Sequence, residues 1–388
     1  MRSKSNNKSK AVIIIAIILL LLGGAGAYFW HAGSSQSTSA SVATEADKAV
    51  NSIDLDNGDE DIDWASLPTT DITLNGEALI ITEAGTYILT GTTTAGVTVN
   101  TNDTNVRLAL NNANISNASG AAIYVENAKN VIIQTVEGTT NNVEDATTRS
   151  DESIDAAIYS SDDLILQGDG TLNVTGNFAD GIVSKDDLKI SSGTYNVTSV
   201  DDGIRGKDSV NIVDGTITVD AQGDAIKASN DVDQAKGNVA IQGGNITIAA
   251  GSDGIEAQEK LIIDNGTINV KSSLEGLEAA LVTINDGNVT INASDDGINA
   301  TKSNFTSTPV ITINGGNINV TVGQGDTDAI DSNGNVYING GTVTLTAPGM
   351  SSIDYDGIGE LNGGTVIVNG SQITTMPEEQ MMGGGMRR

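Results

Sequence analysis

The chain has 388 residues, a net charge of −31, no cysteine, 3% aromatic residues and 45 glycines. The charge excludes nucleic acid as a partner, and the missing thiols exclude disulfide stapling, thiol catalysis and cysteine lipidation. Abundant glycine with few aromatics favours a repetitive β protein over a helical globule.

Residues 2–10 carry Arg2, Lys4, Lys8 and Lys10, and residues 11–30 are almost wholly apolar, ending Tyr28-Phe29-Trp30. Twenty apolar residues span a bilayer, with the basic end cytoplasmic and the aromatic end at the far interface. Residues 1–30 are therefore expected to form a signal anchor with a transmembrane helix; Ala25-Gly26-Ala27 offers cleavage as the alternative. Residues 31–66, rich in Ser, Thr and acids, read as a flexible spacer. The repeats that follow, 67–375, are placed outside the cell, on a membrane-anchored, monomeric, cell-surface protein.

Residues 67–100 are expected to cap the N-terminal end of a solenoid, which must hide its open core. Val106-Leu108-Leu110, Ile115, Ile123 and Val131-Ile133 then suggest two or three irregular coils. From there a triplet recurs: Asp180-Gly181-Ile182, Asp202-Gly203-Ile204, Asp224-Ala225-Ile226, Asp253-Gly254-Ile255, Glu275-Gly276-Leu277, Asp296-Gly297-Ile298 and Asp328-Ala329-Ile330. The intervals are 22, 22, 29, 22, 21 and 32 residues. Each triplet is followed by apolar residues in one register, as in Leu188, Ile190, Tyr195 and Val197 or Leu261, Ile263, Ile268 and Val270. Pairs two residues apart are short strands facing one core. A fixed period with this alternation predicts an all-β, parallel β-helix of about 10–12 coils, right-handed by the usual crossover rule.

Corner signals fall just before each third strand, as in Asp214-Gly215, Asn265-Gly266 and Asp286-Gly287, where glycine supplies positive φ. Two repeats are longer at the same place, near Ser229–Asp233 and Ser303–Ser307. Those insertions project from one face three coils apart, and such loops often mark a solenoid's binding face. Elsewhere the outward positions are uniformly polar. The tail 376–388, with its Met and Gly run, reads as disordered.

Stacking aligns the seven acids into a row. Two carboxylates at about 5 Å repel by roughly 3 kcal/mol at a surface-like dielectric. At exposed turns their pKa values should stay ordinary, which leaves two compensations: interleaved Lys185 and Lys207, or divalent cations bridging the coils. Candidate ligands are Asp180, Asp201, Asp202, Asp224, Asp231, Asp233, Asp253, Glu275, Asp295, Asp296, Asp326 and Asp328. Such oxygen donors suit Ca²⁺, whereas one histidine (His31) and no cysteine disfavour Zn²⁺.

Residues Asp162-Asp163-Leu164 through Asp202-Gly203-Ile204-Arg205-Gly206-Lys207-Asp208, with Ser184-Lys185-Asp186-Asp187-Leu188-Lys189-Ile190 and Val106-Arg107-Leu108-Ala109-Leu110-Asn111, are distinctive. They resemble the clostridial-type extracellular carbohydrate-binding β-helix family, over roughly residues 70–370. The resemblance implies a pectate-lyase-like fold, association with calcium, and binding of cellulose or pectic acid without established catalysis. Many family members look like cysteine-anchored lipoproteins; this chain has no cysteine, which fits a transmembrane anchor instead.

The expected function is thus non-catalytic, calcium-dependent binding of a polysaccharide, acidic or neutral, with Lys185, Arg205, Lys207 and Lys227 as candidate sugar contacts. Tyr124 and Tyr159 follow similar Ala-Ala-Ile steps and are expected to share a face. The alternatives are a calcium-dependent polysaccharide lyase, which needs a base to abstract a proton α to a uronate carboxylate, and an adhesin or stalk with a protein partner.

Overall fold

The computed structural model describes residues 62–325, 327–349 and 351–377. The expected membrane helix and most of the spacer lie outside these residues; among the described residues no helix is long and apolar enough to cross a membrane. Among the described residues one 34-stranded, almost wholly parallel sheet forms, preceded by a 3-10 turn, Trp64–Ser66.

Each regular coil contributes to three parallel ladders. Asp180–Ser184, Asp187–Ile190 and Thr194–Ser199 lie on the first, second and third faces. They stack on Ile204–Gly206, Ser209–Ile212 and Thr216–Ala221 of the next coil. The inward residues fill one continuous core: Leu188, Ile190, Tyr195, Ile204, Val210, Ile212 and Ile217 are all fully buried. Tyr195 occupies a position aliphatic in its neighbours and donates its hydroxyl hydrogen to Ser192 O at 2.6 Å. The partner is needed because a buried phenol hydroxyl without one is costly.

Two kinds of glycine shape the coils. Those before the third strand have positive φ, 134° at Gly215 and 114° at Gly266, as the corner requires. The glycine of the Asp-Gly-Ile triplet instead answers to close approach. A Cβ on Gly203 would lie 2.6 Å from Ala225 O, and one on Gly254 would lie 2.5 Å from Gly276 O. Ala225 and Ala329, both fully buried, show that a methyl group is the largest side chain the triplet holds in this chain.

Amide ladders line the outside. Asn196, Asn173 and Asn142 each donate to the asparagine of the preceding coil, Asn173, Asn142 and Asn114, at 2.9, 2.8 and 2.6 Å. At the C-terminal end Ser371–Ile373 folds back antiparallel on Thr365–Val368, turning at Asn369 and Gly370, both of positive φ. This hairpin, with Met376 packed against the core, covers the last coil.

Candidate metal centre

The acidic row forms, buried at its first four members and half-buried at Glu275, Asp296 and Asp328. Asp180, Asp202, Asp224 and Asp253 are between 2% and 9% exposed. Their burial has a backbone cause. Where the chain turns into the first face, the N–H groups of five row residues donate to the carboxylate one coil back. Asp202 N–H donates to Asp180 Oδ1 (3.1 Å), Asp224 N–H to Asp202 Oδ1 (3.0 Å) and Asp253 N–H to Asp224 Oδ1 (2.8 Å). Glu275 N–H donates to Asp253 Oδ1 (3.3 Å) and Asp328 N–H to Asp296 Oδ1 (2.7 Å). Asp180, Asp202, Asp224, Asp253 and Asp296 thus each satisfy a backbone donor of the next coil, and the second oxygen remains to be neutralised.

The residue after the triplet supplies that neutralisation. In register along the first face stand Val183, Arg205, Lys227, Glu256, Glu278, Asn299, Asp331 and Asp354. Arg205 pairs with Asp180 and Asp155, and its Nε lies 3.6 Å from Asp202. Lys227 pairs with Asp224 and, at 2.6 Å, with Glu256. The internal cations meeting the row are therefore Arg205 and Lys227, not Lys185 and Lys207. Arg205 and Lys227 are mostly buried in these pairs, which raise both their pKa values despite desolvation.

Beyond Lys227 the register holds acids and one amide instead of bases. Two carboxylate groups gather here with ligand atoms within 4.8 Å of one another: Asp224, Asp253 and Glu256, and Asp253, Glu275 and Glu278. The first already contains the Lys227 ammonium. Around the second, burial first and then neighbouring acids push Asp253 well above the usual carboxylate range. Burial likewise pushes Glu275 up to about 7, against the hydrogen bond from Asn299 and helped by Glu278, Asp296 and Asp295. Asn299, 5% exposed, donates its amide hydrogen to Glu275 Oε2 at 2.7 Å. Its Oδ1 is buried without a hydrogen-bond partner. Thr301 holds Glu278 through Oγ1 to Oε1 at 3.0 Å. Three carboxylates, all hard donors, fit a calcium-like cation and offer no soft ligand; Asn299, which presents its N–H to Glu275, would turn to add its oxygen. Two coils on, burial and the charges of Asp296, Asp328, Asp354 and Asp356 push Asp331 up to about 7.

Of the other candidates, Asp201 is exposed and Asp295 half-buried beside their row neighbours. Asp231 and Asp233 lie exposed in the insertion, outside the group around Asp224. Asp326 lies outside the described residues. Glu256, Glu278, Asn299 and Asp331 were absent from the sequence reading, although each sits one place after a triplet, as in Asp253-Gly-Ile-Glu256 and Glu275-Gly-Leu-Glu278. Tyr124 and Tyr159 do share a face, paired across coils with ring centroids 5.9 Å apart. Trp64 is covered by the Arg107 guanidinium, 4.2 Å from the ring centroid.

Comparison with known proteins places these features in a family. The family model for carbohydrate-binding domain-containing proteins matches residues 75–276 and 274–380. A carbohydrate-binding domain-containing protein of Acetivibrio thermocellus is 36% identical over 124 residues, covering 30% of this chain and 43% of that relative. The match thus spans less than half the length of the relative. Among solved structures, the polysaccharide lyase-like protein from C. thermocellum, determined as a gadolinium derivative, is similar with a TM-score of 0.50 and 31% identity. It covers 52% of this chain and 90% of its own.

Proposed function

We propose that this chain, which belongs to the carbohydrate-binding domain-containing protein family, is a non-catalytic, cell-surface protein that binds polysaccharide with the help of calcium, anchored through residues 11–30. The observation that carries the reading is the cluster of Asp253, Glu275 and Glu278 within 4.8 Å, beside the orphaned amide oxygen of Asn299. Asp253, Glu275, Glu278 and Asn299 would hold the ion. When bound there, it supplies the positive charge through which a −31 protein can accept the uronate carboxylates of a pectic chain.

The chain's own residues argue against lyase chemistry. A uronate lyase needs a neutral base beside the metal. Arg205 and Lys227, the basic groups in the row, are committed to Asp155, Asp180, Asp224 and Glu256. Their raised pKa values keep both protonated.

Affinity electrophoresis through polygalacturonate and through a soluble β-glucan, with calcium or with EGTA, tests the proposal. The expected result is retardation by polygalacturonate in calcium that EGTA abolishes. Retardation indifferent to chelation would remove the cation from the account, and release of unsaturated product absorbing in the ultraviolet would replace binding with lysis.

A further inference from the structure

The two insertions form one structure. Asn304 of the second donates its amide hydrogen to Asp231 O of the first at 2.8 Å, across 73 residues of sequence. Ser303 and Thr306 both donate to the carboxylate of Glu259, which is 2% exposed. The second loop is thus pinned to the strand Ile255–Ile263, which lies between the two insertions. Held this way, the loops flank an open cleft of about 820 Å³ on the second face, within the size range of small-ligand pockets.

Its floor departs from the rule that outward positions are polar. In register along this column stand Asp187, Ser209, Asn238, Lys260, Leu281, Val310 and Asn335. The two apolar members, Leu281 and Val310, line the cavity. Both are only half-buried. Thr306, Ser307, Thr308 and Gln234 supply hydroxyls and an amide around them. Phe305, beside Thr306, is 38% exposed. An apolar floor ringed by hydroxyl and amide groups matches a pyranose ring, with its C–H face and hydroxyl edge. The lining carries two carboxylates, Asp233 and Glu259, against one ammonium, Lys260, a balance that disfavours a uronate.

The cavity also adjoins the acidic cluster. Glu278 of the cluster and Leu281 of the floor share the strand Leu277–Ile284, three residues or about 10 Å apart at strand rise. We infer that the cleft beside the loops is a second glycan site, binding one uncharged pyranose unit of a neutral polysaccharide without a cation. This extends the carbohydrate-binding proposal and does not depend on its calcium.

Calorimetry with β-1,4-linked glucose and xylose hexamers, and separately with trigalacturonate, tests the inference in EGTA and in calcium. One neutral hexamer is expected to bind in EGTA, and the double variant L281N/V310N and the loop variant F305A to weaken it at least tenfold. Asparagine occupies the same column at Asn238 and Asn335, so the double variant should melt like the wild type and keep calcium-dependent retention by polygalacturonate. Wild-type affinity in both variants, or no binding of either hexamer at millimolar concentration, overturns the inference. Cavity-dependent hexamer binding alongside chelator-indifferent polygalacturonate retention would uphold the cavity and defeat the calcium proposal.

Discussion

Glu275→Gln should change stability in opposite directions with and without calcium. Glu275, Asp253 and Glu278 bring their oxygens within 4.8 Å of one another. At an effective dielectric near 20, a pair at that separation repels by about 3.5 kcal/mol. Glu275 is only part-buried and, with its pKa raised to about 7, partly protonated at neutral pH. Screening and protonation bring the relief from removing its charge to roughly 1–3 kcal/mol at pH 8. Glutamine retains an acceptor for Asn299, so the hydrogen bond is kept. With an unfolding entropy near 0.6 kcal/mol/K for roughly 300 ordered residues, the variant should melt about 2–5 °C higher than the wild type in EGTA. In calcium the order should reverse, because wild type at about 1,000 times Kd gains about 4.1 kcal/mol and the variant loses most of that gain. Scanning calorimetry of both proteins in both buffers is the assay. A variant no more stable than wild type in EGTA, or one stabilised as much by calcium, would refute the reasoning.

Other consequences follow from the same row. The folded-state pKa values of Glu275 and Asp331, each about 7, lie above their unfolded values near 4. The stability they contribute is therefore present at low pH and lost as pH rises through about 7, by about 1–2 kcal/mol per group after screening. Metal-free protein should accordingly melt lower at pH 8 than at pH 5, and a flat or rising profile in EGTA would contradict the burial argument. Arg205→Met strips the cation from Asp155 and Asp180 and should cost roughly 3–5 kcal/mol at pH 8. The loss should be smaller at pH 5, where Asp180, pushed by burial up to about 7, takes a proton; urea midpoints at the two pH values report the difference. Gly203→Val should open the solenoid locally to limited proteolysis, and Gly203→Ala, whose Cβ would meet Ala225 O at 2.6 Å, should do so to a smaller degree.

The period carried most of the fold. Offsets counted from Ile182 place Leu188, Ile190, Tyr195 and Val197 inside, and all four are buried. The glycines of Asp214-Gly215 and Asn265-Gly266 adopt the positive φ their corners need. What local sequence could not show was the fate of the acids. An Asp before Gly looks like a solvated turn, and its burial becomes intelligible only when the N–H of Asp202 is seen to need Asp180, 22 residues earlier. The polarity of the register position after each triplet was visible as Arg205, Lys227, Glu256 and Glu278. Its meaning depends on the row beside it, where two bases silence one half and two acids load the other. The closed antiparallel end at Ser371–Ile373 and the contact between Asn304 and Asp231 lie outside the repeat, so periodicity does not reach them.

The most direct test is a crystal structure of the protein grown in calcium, with anomalous difference maps collected at a long wavelength. The account predicts an anomalous peak bounded by carboxylate oxygens of Asp253, Glu275 and Glu278, with the Asn299 side chain turned toward it. Calcium bound elsewhere, with these three carboxylates unliganded, would contradict it.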